Sequence, residues 1–513
     1  MIKLNIKDNT NFWFERSIGD RKVFFSGYIS VYGKTLEKEL ALDYINRIIG
    51  NIKQLDTYNI FEQLNGSWSI VILENDSALI AVDVIKSRPL YYSSNNGEVI
   101  ISDCDRNVLN SNKIEIVEKN VDYYKEHFVA PPGETIVKDV YDVKPGHCVY
   151  FGNNTYKEYK YFYLPAKLSY APLDILFDEA YSIFISVFNR LKNYLENHKN
   201  STILLPLSGG MDSRLIAYYL KVLEVQNKII AYTYGKSEDV EEAKISYQVA
   251  QELGFEWEFV QYTSDMWKDL GQDLENRIEI NSSLKTLVHL QDYLAIEKLS
   301  KKYNDVIVIP GLCFDVLAGL TIPKELWVAN NSFIFATNKK NQIYDNDLLN
   351  YEEYKIQTRL SGYILNSLRI YEKFGCQYYL PYWDIELVKF WYRLPTEYRI
   401  NRYLFNQLVK AKIYVGDYRR LLEIPYALGR SHEGDIVKIG NIFKLKLRAK
   451  KMIKIIFPDF MKKVKRMRKA NNCKDDYLGM SAMFNDDRSS DPLQKLCEYY
   501  IEIVRKQVGN IDK

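Results

Sequence analysis

Residues 203–220 read ILLPLSGGMDSRLIAYYL, and this stretch decides the fold expected for the chain. The apolar run at its start predicts a buried strand, and the serine and glycines at 208–210 predict a turn. The apolar residues Leu215, Ile216, Tyr219 and Leu220 then recur at helical spacing. Two adjacent glycines let the backbone approach a ligand closely, and the N–H groups at a helix start favour an anion. The stretch therefore predicts a strand, a glycine loop and a helix around a phosphate.

The polar side chains of this loop fit the same interpretation. Ser208 and Ser213 add hydroxyl donors, and Arg214 adds a cation. Asp212 is a poor neighbour for a bare phosphate, but it suits a magnesium ion that the phosphate shares. Neither of the two common glycine-rich nucleotide fingerprints occurs here. A serine- and glycine-rich turn without a ligand is the alternative, and we favour a pyrophosphate cradle because strand, loop and helix follow in the required order.

Residues 208–213, SGGMDS, resemble the SGGxDS loop of the N-type ATP pyrophosphatases, which split ATP into AMP and pyrophosphate. The longer context resembles the asparagine synthetase family. The resemblance implies an adenine nucleotide α-hydrolase-like domain, with ATP and Mg²⁺ as cofactors. On this loop we expect the nucleotide to be bound by Leu207, Ser208, Gly209, Gly210, Asp212 and Ser213.

Further strands and helices alternate after the loop. Residues 228–234, 255–262 and 305–310 read as strands, a helix is predicted over 240–254, and a long helix over 173–198 precedes the loop. This order predicts a doubly wound parallel sheet with ligands outside the carboxyl ends of its strands. Tyr234 ends the second strand at that edge, where adenine could bind. The alternative is that Tyr234 is only a rim residue of the core.

A second loop, GLCFDVLAG at 311–319, follows the strand over 305–310. Gly311 at the strand end and an acid four residues later predict a loop that brings Asp315 to the phosphate site. Asp212 and Asp315 would then share a magnesium ion. The loop resembles a reduced form of the SGDGxDE element of asparagine synthetases, with Leu312 and Val316 in place of two acids. It is also similar to the loop of β-lactam synthetases, which close an amide within one substrate.

Two later runs extend the resemblance to about residue 402. YLPYWDIELV at 379–388 and LPTEY at 394–398 are similar to conserved runs of the asparagine synthetases, and we expect Asp384 to cap a helix. The family keeps a catalytic Glu near Glu279, for which surface charge is the favoured interpretation. The resemblance implies a catalytic role for Arg430, and His432 or Lys438 would replace a late lysine of the family.

The first 165 residues read as short strands with a helix over 35–50, and residues 66–72 and 78–83 predict a hairpin. This pattern predicts a layered α+β domain. The runs LNG at 64–66 and SRPLYY at 87–92 resemble the glutaminase domain of asparagine synthetases, an amino-terminal-nucleophile fold. Such glutaminases use a cysteine after the initiator methionine, where Ile2 stands, and SGY at 26–28 replaces their Asn-Gly oxyanion element. We therefore expect a structural platform without glutaminase activity. An active glutaminase with another nucleophile is the alternative.

Composition limits the remaining classes. The net charge of +3 over 513 residues indicates no general preference for nucleic acid, and the six cysteines form no Cys-x-x-Cys pair. No signal peptide or long apolar stretch is evident, so we expect a cytoplasmic protein. The basic run over 443–469 predicts a solvated helix face, with weak contact to an anionic membrane surface or to RNA as alternatives.

The expected organisation is a glutaminase-like domain over 1–165, an ATP-pyrophosphatase domain over 170–435 and a basic helical tail over 436–513 that packs on the second domain. We expect an ATP-dependent carbon–nitrogen ligase, in which Asp212, Asp315 and Arg430 act on a carboxylate and an amine and which could form a homodimer. The alternatives are an intramolecular amide-forming cyclase and a non-catalytic binding protein. A tRNA-modifying pyrophosphatase is a third.

Overall fold

The computed structural model describes residues 1–6, 12–95, 97–109, 114–152, 155–165, 170–274, 284–322, 349–426, 480–484 and 492–511. The strands are β1 Ile2–Leu4, β2 Trp13–Ile18, β3 Arg21–Val31, β4 Lys34–Glu37, β5 Asn65–Glu74, β6 Ser77–Val82, β7 Tyr91–Asn95, β8 Glu98–Ser102, β9 Val140–Asp142, β10 His147–Gly152, β11 Thr155–Lys160, β12 Thr202–Pro206, β13 Ile229–Gly235, β14 Glu256–Gln261, β15 Val306–Val308 and β16 Gln377–Tyr378.

The α-helices are α1 Lys38–Ile48, α2 Glu118–His127, α3 Leu173–Glu196, α4 Met211–Val222, α5 Glu241–Leu253, α6 Ser264–Gln272, α7 Tyr293–Lys302, α8 Phe314–Leu317, α9 Leu368–Lys373, α10 Ile385–Arg393, α11 Thr396–Arg399, α12 Tyr403–Leu408 and α13 Pro492–Ile511. Two π-helical segments, Ile356–Ile364 and Val409–Ile413, and several short 3₁₀ turns connect them. None of the helices that the structure describes is long and apolar enough to cross a membrane.

The N-terminal half consists of two sheets packed face to face. The larger is antiparallel, with the order β11-β10-β6-β5-β3-β2 and β4 paired to β3, and the smaller has the order β1-β8-β7-β9. Along β5, Ile70 and Ile72 enter the main core of the molecule, whereas Val71 faces a second core between the two sheets. This alternation is what a strand buried on both faces requires. The predicted hairpin of β5 and β6 is confirmed.

The helix predicted over 35–50 was wrong at its start. β4 occupies 34–37 and pairs with β3, and α1 begins only at Lys38. Tyr32 and Gly33 form the two-residue turn between β3 and β4, with φ of 50° and 76°. Two consecutive positive φ values are the signature of a tight hairpin, and this local pairing outweighs the helical spacing of the residues that follow. Leu40, in the first turn of α1, is 62% exposed.

The second half is built on the predicted parallel sheet. Its order is β14-β13-β12-β15-β16, and every neighbouring pair is parallel. The chain moves outward from β12 through β13 to β14, and then returns to the other side of β12 for β15 and β16. The order therefore reverses between β12 and β15, and in open α/β sheets ligands bind at such a reversal, outside the carboxyl ends of the strands.

The two halves share one continuous apolar core. The amide of Leu380 donates to the hydroxyl of Tyr28 of β3 over 3.0 Å, and the ring of Tyr28 stacks on that of Tyr379 with centroids 4.5 Å apart. Buried Lys285 donates to the carbonyl of Pro131 over 2.6 Å and pairs with Asp142 of β9 over 2.8 Å. Buried polar contacts, as well as apolar packing, thus hold the N-terminal half against the second half.

The described part of the tail contacts both halves. Residues 480–484 pack on α6, where the carbonyl of Met483 lies against Gly271. The final helix α13 contacts α2, and Arg505 donates to Glu118 over 2.7 Å. The tail was expected to pack on the second domain, and its final helix α13 also contacts the N-terminal half through α2. The basic run over 443–469 lies outside the described residues.

Candidate functional site

The loop after β12 closes on itself through its two serines. Ser213 donates its hydroxyl to the carbonyl of Ser208 over 3.2 Å, and the two hydroxyl oxygens lie 3.1 Å apart. The hydroxyl of Ser208 also accepts the amide of Gly210 over 3.3 Å. Gly210 is the N-cap of α4 and provides no side-chain cap. The amides and the positive dipole end of the helix are therefore not satisfied by a capping side chain and can bind a ligand. This geometry suits an anion.

Gly311 brings the second loop directly against this helix start. A Cβ atom at position 311 would lie 3.0 Å from the amide nitrogen of Ser213 and 3.3 Å from the carbonyl carbon of Asp212. Such distances are shorter than nearly all real Cβ contacts, and the atoms opposite are backbone. A larger residue would force the opposite backbone to shift by a few tenths of an ångström, so glycine permits the approach that places Asp315 beside Asp212.

The two aspartates share one cation. Nη1 of Arg402 donates to Oδ1 of Asp212 over 2.9 Å and to Oδ1 of Asp315 over 2.8 Å. The Asp212 side chain is 14% exposed and that of Asp315 is 39% exposed. The predicted proximity of these carboxylates is therefore present, at the reversal point between β12 and β15.

The pKa of Asp212 depends on its burial and on its two charged neighbours, Asp315 and Arg402. Burial raises the pKa of Asp212 well above its ordinary value, and the negative charge of Asp315 raises it further, whereas Arg402 lowers it. A carboxylate that is desolvated and lies next to another carboxylate needs a counter-cation to stay ionised. The site therefore favours positive charge between the two aspartates.

The YLPYWD run holds both loops. Tyr382 donates its hydroxyl to the carbonyl of Asp212, and Trp383 donates its indole N–H to the carbonyl of Leu312 over 3.3 Å. The expectation for Asp384 is confirmed, because Asp384 is the N-cap of α10 and accepts the amide of Glu386 over 3.0 Å. Asp384 thereby caps the helix that begins directly after Tyr382 and Trp383.

Two of the expected ligand residues have additional structural contacts. The amide of Leu207 donates to the carbonyl of Tyr232 over 2.9 Å, and its carbonyl accepts the hydroxyl of Thr233 over 2.7 Å, so Leu207 ties the loop to β13. Tyr234 lies at the carboxyl end of β13, where its ring stacks on Tyr262 with centroids 5.2 Å apart. Its ring is half-buried at the sheet edge where adenine was expected.

The interpretation of Arg214 as a cation for the ligand has to be corrected. Its guanidinium is fully buried and donates to the carbonyls of Leu421, Ile424 and Pro425 over 2.8 to 2.9 Å. Its side chain also lies over the ring of Tyr426 at 4.6 Å. Arg214 therefore anchors residues 421–425 to the start of α4.

Arg402 is the site residue that the sequence did not reveal. It is separated from Asp315 by 87 positions and from Asp212 by 190. Asn401 and Arg402 both adopt left-handed backbone conformations, with φ of 52° and 60°. Such conformations cost energy for residues other than glycine, with asparagine the most tolerant, and they tend to occur at functional sites. Nothing in the residue pattern around Arg402 signals that conformation.

Several expected residues lie outside the described part of the chain. These are Arg430, His432, Lys438 and Glu279, whose roles remain predictions. Within the described residues, no group of three or more His, Cys, Asp or Glu side chains could hold a metal ion. The described part of the chain therefore offers a metal at this place the two carboxylates of Asp212 and Asp315, and no third side chain of these types.

The cysteines of the N-terminal half are not exposed nucleophiles. Cys104 and Cys148 are its two cysteines, and both are buried. Burial raises the pKa of the Cys104 thiol to about 11 and raises that of Cys148 above its ordinary range. Because the thiolate is the reactive form, neither is prepared for nucleophilic attack.

Comparison with protein families gives one match. Residues 51–162 match the family model of a glutamine amidotransferase domain. No curated protein matches the chain. The N-terminal half thus contains a segment similar to glutamine amidotransferase domains.

Solved structures show weaker likenesses. An NAD⁺ synthetase from Burkholderia pseudomallei is similar over 40% of this chain and 94% of its own, at 15% identity and a TM-score of 0.20. A glutamine phosphoribosylpyrophosphate amidotransferase from B. subtilis, complexed with ADP and GMP, is similar over 58% of this chain and 63% of its own, at 10% identity and a TM-score of 0.20. A glutamine-dependent NAD⁺ synthetase from Acinetobacter baumannii, in complex with ADP, is similar over 39% and 42%, at 14% identity and a TM-score of 0.18. The chain therefore spans less than two thirds of the length of the last two, and TM-scores of this size do not establish a shared fold.

Proposed function

We propose that this protein is an ATP-dependent amide-forming ligase that activates a carboxylate as an acyl-adenylate and transfers it to an amine. The observation that carries the proposal is the pair of carboxylates, Asp212 and Asp315, on one cation at the reversal point of a parallel sheet. The serine–glycine loop and the start of α4 lie directly beside this pair. The arrangement suits a nucleotide polyphosphate with its metal better than a bare anion.

The residues present fit a magnesium ion. Mg²⁺ commonly binds to one or two protein carboxylates and takes its other ligands from substrate phosphates and water. Asp212 and Asp315 would supply the two carboxylates, and the desolvation of Asp212 gives this position a demand for positive charge. When bound, the metal would stabilise charge on the leaving pyrophosphate.

The roles of the protein groups follow from their positions. The amides at the start of α4 and the hydroxyls of Ser208 and Ser213 would bind the pyrophosphate oxygens. A carboxylate oxygen of the substrate would attack the α-phosphorus, and pyrophosphate would leave. The amine would then attack the acyl carbon, lose a proton and release AMP with the former carboxylate oxygen. Gly311 would keep both aspartates close enough to act together.

The nitrogen source would not be glutamine hydrolysed by the N-terminal half. Cys104 and Cys148 are buried thiols, and Ser26–Gly27–Tyr28 stands where the resembled glutaminases have an Asn-Gly element. Free ammonia or an amine of the substrate itself would take its place. The N-terminal half would then be a platform that supports the second half through contacts such as Tyr28 with Leu380.

Pyrophosphate release from ATP and Mg²⁺ tests the proposal. The native chain would be offered aspartate and then a panel of other carboxylates and amino acids, each with ammonium, with glutamine or with neither. Release with ammonium and not with glutamine supports the ligase and its silent platform. Release with a carboxylate alone points to an amine within the same substrate.

Asp212→Asn and Asp315→Asn are the matched variants, because they keep the size of each side chain. We expect each to lower the rate by at least about a hundredfold, the order of effect that loss of a transition-state charge partner produces. Unchanged release from both variants would contradict the assignment of the site. Absence of release from the native chain over the whole panel would contradict the ligase itself.

A further inference from the structure

Arg402 occupies the place between the aspartates that a metal ion would need. A single nitrogen, Nη1, lies 2.9 Å from Asp212 Oδ1 and 2.8 Å from Asp315 Oδ1. The Arg402 side chain is 20% exposed, so water screens these contacts only in part. A divalent cation that used the same two oxygens would have to displace this guanidinium.

The backbone that carries Arg402 is firmly held. Arg399, three residues earlier, is 2% exposed and pairs with Glu352 through two hydrogen bonds of 3.0 and 2.6 Å. The carbonyl oxygen of Arg399 lies 2.5 Å from where a Cβ of Gly319 would be, so this segment packs on the loop that carries Asp315. The backbone near Arg402 is therefore fixed, and its side chain reaches the aspartates from there.

We infer that Arg402 is an internal counter-ion that competes with the divalent metal for Asp212 and Asp315 and couples metal binding to nucleotide binding. In the free protein, the single positive charge of the guanidinium offsets part of the negative charge of the two carboxylates and weakens metal binding. A polyphosphate gives the guanidinium an alternative anionic partner, because arginine pairs well with phosphate oxygens. Metal and nucleotide then bind together better than either binds alone.

The coupling is a matter of linked equilibria. The metal can bind only to protein in which Arg402 has left its partners. Its apparent affinity is the intrinsic affinity multiplied by the fraction of protein in that state. A nucleotide that stabilises this state raises the affinity for metal, and the metal raises that for the nucleotide by the same factor. This inference rests on the proposed nucleotide site, but it concerns binding and can be tested without turnover.

The test measures Mn²⁺ binding by electron paramagnetic resonance, with and without a non-hydrolysable ATP analogue. We expect Mn²⁺ to bind the free native protein weakly and the analogue to strengthen its binding by about tenfold or more, within the usual range of coupling between sites. Arg402→Gln should bind Mn²⁺ about tenfold more tightly without the analogue. The analogue should strengthen Mn²⁺ binding to this variant less than to the native chain, because only the phosphate ligands to the metal remain.

Three variants control the experiment. Arg402→Met removes the charge but keeps an apolar stem, and it replaces Arg402→Gln if thermal unfolding shows that the glutamine variant does not fold. Arg402→Lys keeps a cation and should restore part of the coupling. Arg420→Gln removes an exposed arginine from Gly416–Leu422 and should leave Mn²⁺ binding unchanged, which excludes a general effect of net charge.

A folded Arg402→Gln or Arg402→Met variant that binds Mn²⁺ no more tightly than the native chain would overturn the inference. Retention of Mn²⁺ binding by the Asp212→Asn and Asp315→Asn variants would overturn it as well, because the metal would then lie elsewhere. Failure of the proposed function gives a different result. The binding of Mn²⁺ and of the nucleotide would still strengthen each other, but the native chain would release no pyrophosphate with any carboxylate.

Discussion

At this site, single residues matter because of close contacts between distant parts of the chain, and a sequence pattern does not show such contacts. Gly311 is a plain glycine after a strand, yet a methyl group there would meet the backbone of Asp212 and Ser213. Arg402 is one of many arginines, yet its guanidinium joins two loops. The aspartates were predictable because each follows a strand of a parallel sheet. Their partner was not, because its position depends on how distant segments pack.

Gly311→Ala tests the close approach of the two loops. The added methyl would lie 3.0 Å from Ser213 N, so we expect a loss of about 1–3 kcal/mol in the free energy of unfolding and weaker binding of ATP with metal. Denaturant unfolding and nucleotide titration measure the two effects. Gly210→Ala is the stability control, because a methyl there would meet only the movable hydroxyl of Ser208 at 3.2 Å. Equal stability of the two variants would show that Gly311 is not under this constraint.

Asp105 provides a residue-scale prediction about pH. Burial raises its pKa to about 7, and it accepts the amides of Leu284 and Lys285 over 2.7 and 3.0 Å. Between pH of about 4 and about 7 the folded state holds a proton that the unfolded state has lost, so ionisation of Asp105 lowers stability as the pH rises. Asp105→Asn cannot ionise, and its stability relative to the native chain should rise by about 1.4 kcal/mol per pH unit across this window.

Denaturant unfolding at a series of pH values measures the effect. Asp122→Asn is the matched control, because Asp122 is exposed on α2, and its profile should stay parallel to that of the native chain. A profile of Asp105→Asn that is also parallel to the native one would show that the carboxyl of Asp105 titrates normally in the folded protein.

At the scale of elements, α10 depends on Asp384 and its partners. Asp384 caps the helix, accepts Arg190 Nε over 2.7 Å and accepts the side-chain amide of Asn65 over 2.9 Å. Asp384→Ala should cost about 3–5 kcal/mol in the free energy of unfolding, because it leaves the Arg190 guanidinium buried without its main partner. Glu386→Ala removes the other partner of Arg190, but Glu386 is 51% exposed and should cost less than about 1 kcal/mol. Similar costs for both variants would contradict the buried role of Asp384.

The elements also show where sequence patterns suffice and where they fail. The long helix, the alternation of strands and helices and the β5–β6 hairpin follow from local periodicity, and all are present. The start of α1 was wrong because the Tyr32–Gly33 turn creates β4. The strand β16 is only two residues long, which is too short for a sequence pattern. It pairs with the edge of the sheet at Ile307 and Val308. Short edge strands of this kind depend on packing that the sequence does not reveal.

At the scale of the whole molecule, the two halves should unfold together. One apolar core includes residues from both, and buried Lys285 and Asp384 make polar contacts across the junction. We therefore predict a single cooperative transition, because loss of either half exposes apolar surface and uncompensated charge on the other. Scanning calorimetry and tryptophan fluorescence should give the same midpoint. Two separated transitions would show that the junction is weaker than these contacts indicate.

The most direct test of the account follows one oxygen atom. The native chain is given ATP, Mg²⁺, an amine and a carboxylate substrate labelled with ¹⁸O in both oxygens, and the AMP is analysed by mass spectrometry. Attack of the carboxylate on the α-phosphorus and later displacement by the amine should leave one labelled oxygen in the AMP and one in the amide. Unlabelled AMP, or release of ADP and phosphate in place of AMP and pyrophosphate, would contradict the account.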